Sequence, residues 1–209
     1  MCNLADYRVS NHMLVEEQPR QYTVSFPGSD YVFHLDCDGQ PQPWQGGPIP
    51  DGIVIGRDQN NRSCVVFVEM KTIGDYQHDR LRDVERAQVE KAIRQILSGL
   101  YHFCPLCDCH DVQGSGCQGH TGQDHHRNWN AVFNAQAVGD LRGHRVSGAV
   151  LLLHFGFTVG PPGPPPDPAS LQLGGNHLCP RKPLPRIRFI RRTRLSDDPL
   201  RLNLQDLLG

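Results

Sequence analysis

Two β-branched runs on either side of a short polar stretch constrain this chain more than any other feature. Ile53-Val54-Ile55-Gly56 comes first, Arg57-Asp58-Gln59-Asn60-Asn61-Arg62 intervenes, and Ser63-Cys64-Val65-Val66-Phe67-Val68 follows. Such runs joined by Asp- and Asn-rich residues fold as a β-hairpin. Pro50-Asp51-Gly52 opens its first strand and Glu69-Met70-Lys71 closes its second, so antiparallel pairing brings these ends together. Side chains alternate between faces along a strand, which puts Glu69 and Lys71 on one face and Met70 on the other.

Two carboxylates and an ammonium converging at one sheet edge suit phosphodiester hydrolysis. Mg²⁺ accepts a few protein carboxylates and keeps waters and phosphate oxygens as its other ligands. Asp51, Glu69 and the main-chain carbonyl of Met70 are therefore a candidate ligand set for Mg²⁺ or Mn²⁺. An ion there lowers the pKa of a bound water and offsets charge growing on the phosphate. Lys71 is placed to orient or help deprotonate that water, or to stabilise the anionic transition state. An isolated Glu-x-Lys is most often a solvated pair, but the strand context and the upstream Pro-Asp-Gly favour the functional reading.

Pro50-Asp51 followed across a hairpin by Glu69-Met70-Lys71 resembles the signature of the PD-(D/E)xK nuclease superfamily, which has the restriction-endonuclease-like fold. The likeness covers roughly residues 30 to 100 and is short. It implies an α/β fold with a mixed sheet flanked by helices, beginning helix, three antiparallel strands, helix, then a further strand. Tyr31 to Leu35 reads as the strand before the hairpin. Asp79 to Leu100 reads as the helix after it, because Leu81, Val84, Val89, Ala92, Ile93, Ile96 and Leu100 form one apolar stripe. The resemblance implies a Gln or Lys from this helix beside the metal, which makes Gln88 and Gln95, at one margin of the stripe, catalytic candidates. Glu85 lies inside the stripe and either approaches the site or pairs with an arginine. The resemblance further implies an acid from a helix before the first strand. Glu16 and Glu17 are available there, although Pro19 would keep that helix short. Asp36 and Asp38 are rival acids, more simply explained as turn residues before Gly39.

A second constellation lies between His102 and His126. Cys104-Pro-Leu-Cys107-Asp-Cys109-His110, Cys117-Gln-Gly-His120 and His125-His126 supply thiolates and imidazoles at the spacing of a tetrahedral zinc site. Cys104, Cys107, Cys117 and His120 are the best four, with Cys109 and His110 as alternates. Few apolar residues surround them, so the segment needs a crosslink to fold. An iron-sulfur cluster is the alternative that the histidines disfavour.

At 209 residues the chain can bury one sizeable core with a small insertion. We expect a nuclease-like core over residues 1–160 with the Cys/His-rich insertion at 102–126. Ala149-Val150-Leu151-Leu152-Leu153 should form a buried central strand, and Trp129 to Val138 a short helix leading into it. A Pro-rich linker at 161–168 precedes a basic C-terminal segment at 169–209, read as an edge strand and tail. Residues 168 to 209 hold eight Lys or Arg against three acids, while the rest of the chain is net acidic. Arg186, Arg188, Arg191, Arg192 and Arg194 would then line a phosphate-binding edge, or simply protect that edge from other strands.

No charged leader with an apolar stretch behind it opens the sequence, and no apolar run is long enough for a membrane span. We expect a cytoplasmic protein with metal-bound thiolates and no membrane partner. The expected activity is metal-dependent hydrolysis of nucleic acid, DNA before RNA. The alternative is an inactive nuclease-fold scaffold, or a zinc-module protein that binds nucleic acid or a partner. Monomer, homodimer and larger nucleic-acid-processing complex all remain open.

Overall fold

In the computed structural model, residues 4–17, 20–35, 48–73, 78–103, 145–154, 186–193 and 200–209 are described. The hairpin forms as its residues demand. Strand β5 (Gly52–Arg57) pairs antiparallel with β6 (Ser63–Ile73), with Gly52 opposite Val68 and Arg57 opposite Ser63. Asp58 closes the turn between them. Its Oδ1 accepts from the Asn60 and Arg62 backbone N–H groups, both at 2.9 Å, and Asn61 takes the positive φ of 58° that asparagine tolerates.

Around this hairpin a six-stranded mixed sheet runs in the order β1 (Arg8–Val9), β4 (Tyr31–His34), β5, β6, β7 (Arg145–His154), β8 (Ile187–Thr193). The first four strands pair antiparallel, while β7 and β8 continue parallel to β6. The connection from β6 to β7 carries α1 (His78–Phe103), which packs on β6 and β7. Flanked on both sides, β7 buries Ala149, Val150 and Leu151 completely, which explains its unbroken apolar run.

The other face of this sheet is covered by a second sheet, β2 (His12–Glu17), β3 (Arg20–Ser25) and β9 (Leu200–Arg201), and by the short helix α2 (Leu204–Leu208). Met13, Val24, Phe26, Leu202, Leu204, Leu207 and Leu208 join Val54, Val66, Val68, Met70 and Leu151 in one buried cluster. The molecule is thus an α/β protein in which the six-stranded sheet is the central layer.

Two expectations are corrected here. Met13 to Glu17 is not helical. It lies in β2, because Pro19 blocks a helix and the segment pairs antiparallel with β3, Met13 opposite Val24. Glu16 and Glu17 therefore stand in the second sheet, and among the described residues the helical structure before β4 is a single 3₁₀ turn, Leu4–Tyr7, which carries Asp6. Nor do the last ten residues trail away as a tail. β9 pairs parallel with β3, and three leucines of α2 are buried.

Asp36, Asp38, Cys104, Cys107, Cys109, His110, Cys117, His120, Arg194, the segment Trp129 to Val138 and the 161–168 linker lie outside the described residues. Among the described residues no helix is long and apolar enough to cross a membrane.

Candidate functional site

The open end of the hairpin is held by reciprocal hydrogen bonds between its two strands. Asp51 Oδ2 accepts from the Met70 backbone N–H at 2.5 Å, and Glu69 Oε2 accepts from the Asp51 backbone N–H at 3.0 Å. Each carboxylate thus uses one oxygen to fix the backbone that carries its neighbour. The side chains need no loop to bring them together, since their mutual placement follows from strand register.

Lys71 Nζ completes the group with an ion pair to Glu69 Oε1. That oxygen is buried, and the ammonium is the partner that meets it. Glu69 is fully buried and Lys71 nearly so, while Asp51 is partly exposed. As expected, Met70 points the other way, into the cluster with Val66, Val68 and α2.

Burial raises the Glu69 carboxyl well above its ordinary value of 4.5, and the Asp51 charge raises it further; Lys71 and the Asp51 N–H pull it down without offsetting burial. A group whose folded pKa is raised contributes stability that is fully present below its ordinary pKa and is lost as pH rises through the folded value. In metal-free buffer, the melting temperature of Glu69→Gln minus that of the parent chain is therefore expected to grow as pH climbs from about 4.5 upward. Parallel melting curves across that range would show that Glu69 does not titrate in this way.

Helix α1 is tied to the same place by Gln95. Within an otherwise apolar stretch of Ala92, Ile93, Ile96 and Leu97, its buried Nε2 donates to the Ile49 carbonyl at 2.8 Å. Pro50 biases Ile49 toward extended backbone, and Gln95 anchors the approach to Asp51. Gln95 Oε1 is buried and makes no hydrogen bond. Of the two candidate glutamines, Gln95 is thus brought to the site. Gln88 lies two turns earlier, roughly 10 Å along the axis, and among the described residues none of the contacts holding the site together involves it. The side chain of Glu85 is not among those described.

Four supporting features are not evident from residue type. The Met70 N–H and the Ile49 carbonyl act as a donor and an acceptor that residue type alone does not reveal. Gly52, next to Asp51, has no room for a Cβ because the Met13 side chain and the Phe33 carbonyl occupy that space. The glycine is therefore needed for the second sheet to close against the start of β5. Gly99 likewise lets α1 approach Pro50 and Phe67. The polar Gln95 among apolar neighbours was the one signal visible beforehand.

The basic strand is distributed differently from a simple row. Among the described residues β8 forms the sheet edge, and Arg186 is exposed just before it. Arg188, one of the candidate phosphate contacts, also reaches the C-terminal helix: Nη1 donates to the Gln205 carbonyl at 3.3 Å and the guanidinium lies against Gly209. Orphan carbonyls at a helix C-terminus favour such a cation. Arg191 and Arg192 occupy β8 in register with Leu152 and Leu153.

No group of three or more His, Cys, Asp or Glu side chains assembles among the described residues. The donor set at the hairpin is two carboxylates, the number that Mg²⁺ accepts while keeping its waters. Glu69 Oε1, beside a second carboxylate, is met by the Lys71 ammonium, a cation and not a neutral partner. In comparisons of the chain with family models, curated proteins and solved structures, nothing matches.

Proposed function

We propose that this chain is a divalent-metal-dependent nuclease with the PD-(D/E)xK signature and a restriction-endonuclease-like core, acting on DNA before RNA. The observation that carries the reading is the reciprocal clamp of Asp51 and Glu69 across the hairpin, with Lys71 on the same buried face. The succession of three antiparallel strands β4, β5 and β6, then α1, then β7 parallel to β6, supports it as well. That is the order the signature implies after its first helix.

Asp51 and Glu69 would hold Mg²⁺ or Mn²⁺, with the Met70 carbonyl as a further oxygen. Such an ion, when bound, activates water and neutralises charge on a phosphate. The chain's own groups do the rest. The Met70 N–H holds the Asp51 carboxylate in one orientation, so no reorganisation is needed when substrate arrives. Gln95 fixes the backbone leading into Asp51 through Ile49. Lys71 brings a positive charge to the place where the phosphate becomes more negative, and its ammonium can donate to an attacking water or to a phosphate oxygen. Arg191 stands level with Lys71 two strands away, since Lys71 is in register with Leu152 and Leu152 with Arg191. Strand spacing sets that separation at about 10 Å. Arg186, Arg191, Arg192 and Arg194 remain proposed contacts to the nucleic-acid backbone, and the Cys/His segment remains a proposed zinc module.

The test is cleavage of plasmid DNA, linear DNA and RNA of matched sequence by the purified chain, with Mg²⁺, Mn²⁺ or a chelator. Metal-dependent cutting of DNA that disappears in Glu69→Gln is expected. Cutting that persists in the chelator, or in Glu69→Gln, would remove the proposal.

A further inference from the structure

Glu69 Oε1 already has a cation upon it. Its partner oxygen, Oε2, already accepts from the Asp51 N–H, so Oε1, which has no backbone donor upon it, is the oxygen more open to a metal. Lys71 Nζ occupies it now, in surroundings where the two side chains are 0% and 8% exposed. Two cations sharing one buried oxygen repel strongly, because little water separates or screens them. We infer that Lys71 is the resident cation of Glu69 and that a divalent metal must displace its ammonium from Oε1 to bind.

This rests on the metal reading above and adds a regulatory property to it. Without metal, the ammonium keeps a buried carboxylate paired and the hairpin end assembled. Glu69 does not depend on Lys71 for its position, because the Asp51 N–H and the β7 ladder hold it from other directions. Displacement lowers metal affinity. It also frees the ammonium only after the metal has arrived, so Lys71 reaches water or phosphate when the site is loaded. The Lys71 backbone, in register with Leu152 inside the ladder, does not need to move; the four-carbon stem supplies the travel.

Isothermal titration of the full chain with MnCl₂ tests the inference without any catalytic readout. Lys71→Met and Lys71→Gln are each expected to bind Mn²⁺ roughly ten-fold or more tighter than the parent, because the competing charge is gone. Asp51→Asn is expected to bind it more weakly. Equal or weaker affinity in both Lys71 variants, with binding weakened in Asp51→Asn, would overturn the competition while leaving the metal site in place. Absence of Mn²⁺ binding in every protein, the Lys71 variants included, would overturn the site itself.

Should neither variant fold, the unmodified chain still decides the matter. Acetylation of Lys71, followed by mass spectrometry, is expected to become faster when Mn²⁺ is added, as the ammonium leaves its ion pair. Unchanged or slower acetylation under saturating Mn²⁺ would overturn the inference.

Discussion

Asp51→Asn is expected to reduce metal-stimulated cleavage by about 10³-fold while leaving the protein folded. The magnitude follows from the several kcal/mol of transition-state stabilisation that a bound ion supplies, at about 1.4 kcal/mol for each factor of ten. The structural half of the expectation comes from the hydrogen bonds. Asp51 Oδ2 accepts from the Met70 N–H, and an asparagine carbonyl oxygen can accept the same bond. The Asp51 N–H that donates to Glu69 Oε2 is main chain and survives any substitution except proline. What Asn lacks is the charge. Asp51→Ala would confound the two effects, since it also strands the Met70 N–H, at a cost of about 1 to 3 kcal/mol. Initial rates with Mn²⁺, set beside melting curves of the same preparations, make the check. Cleavage at parental rates in folded Asp51→Asn would remove Asp51 from the chemistry.

Leu207→Ala is expected to destabilise the protein by about 2 to 5 kcal/mol. In a chain of this size that corresponds to a fall of roughly 4 to 20 °C in melting temperature. Leu207 is 1% exposed and packs in one cluster with Leu202, Leu204 and Leu208 from its own segment and with Val66, Val68 and Met70 from β6. Truncation leaves a cavity on the face of β6 opposite Glu69 and Lys71. The helix that carries Leu207 has only five residues, too few to persist alone. It is held by the capping box of Asn203 and Asp206, by Arg188 at its C-terminus and by burial of its leucines. If the segment were the solvated tail that its position suggests, Leu207→Ala would change stability by less than about 0.5 kcal/mol. Denaturant titration separates these values easily.

The two variants probe opposite faces of one strand, and they differ in how far the sequence foretold them. Strand period and hairpin pairing are local properties. Ile53-Val54-Ile55, the Asp58 turn and Val65-Val66-Phe67-Val68 therefore specified β5, β6 and the meeting of Asp51 with Glu69 and Lys71. The helix after Lys71 and the buried strand β7 were legible for the same reason, as a run of period 3.6 and an unbroken apolar run. Less was legible where apolar residues are few or contiguous. Met13-Leu14-Val15 has no distinct period, and β2 exists because β3 lies beside it. Leu204, Leu207 and Leu208 have the three- and four-residue spacing of a buried helical face, but the basic stretch upstream of them suggests a solvated tail. Arg188 shows the same limit from the other side, since its charge alone does not reveal the carbonyl of Gln205, seventeen residues later, to which it donates.

By itself the sequence determined the chemistry at the hairpin end: which residues are acids, which is the lysine, and that alternation puts Glu69 and Lys71 on one face. Only the tertiary structure decided how those groups are held. The Met70 N–H turns one oxygen of Asp51, the Asp51 N–H takes one oxygen of Glu69, and Gln95 reaches across to Ile49, 46 residues away in the chain. The reason is physical. A strand's period is set by its own backbone, whereas the burial that raises the Glu69 carboxyl and the cation that answers it depend on which elements are packed around them.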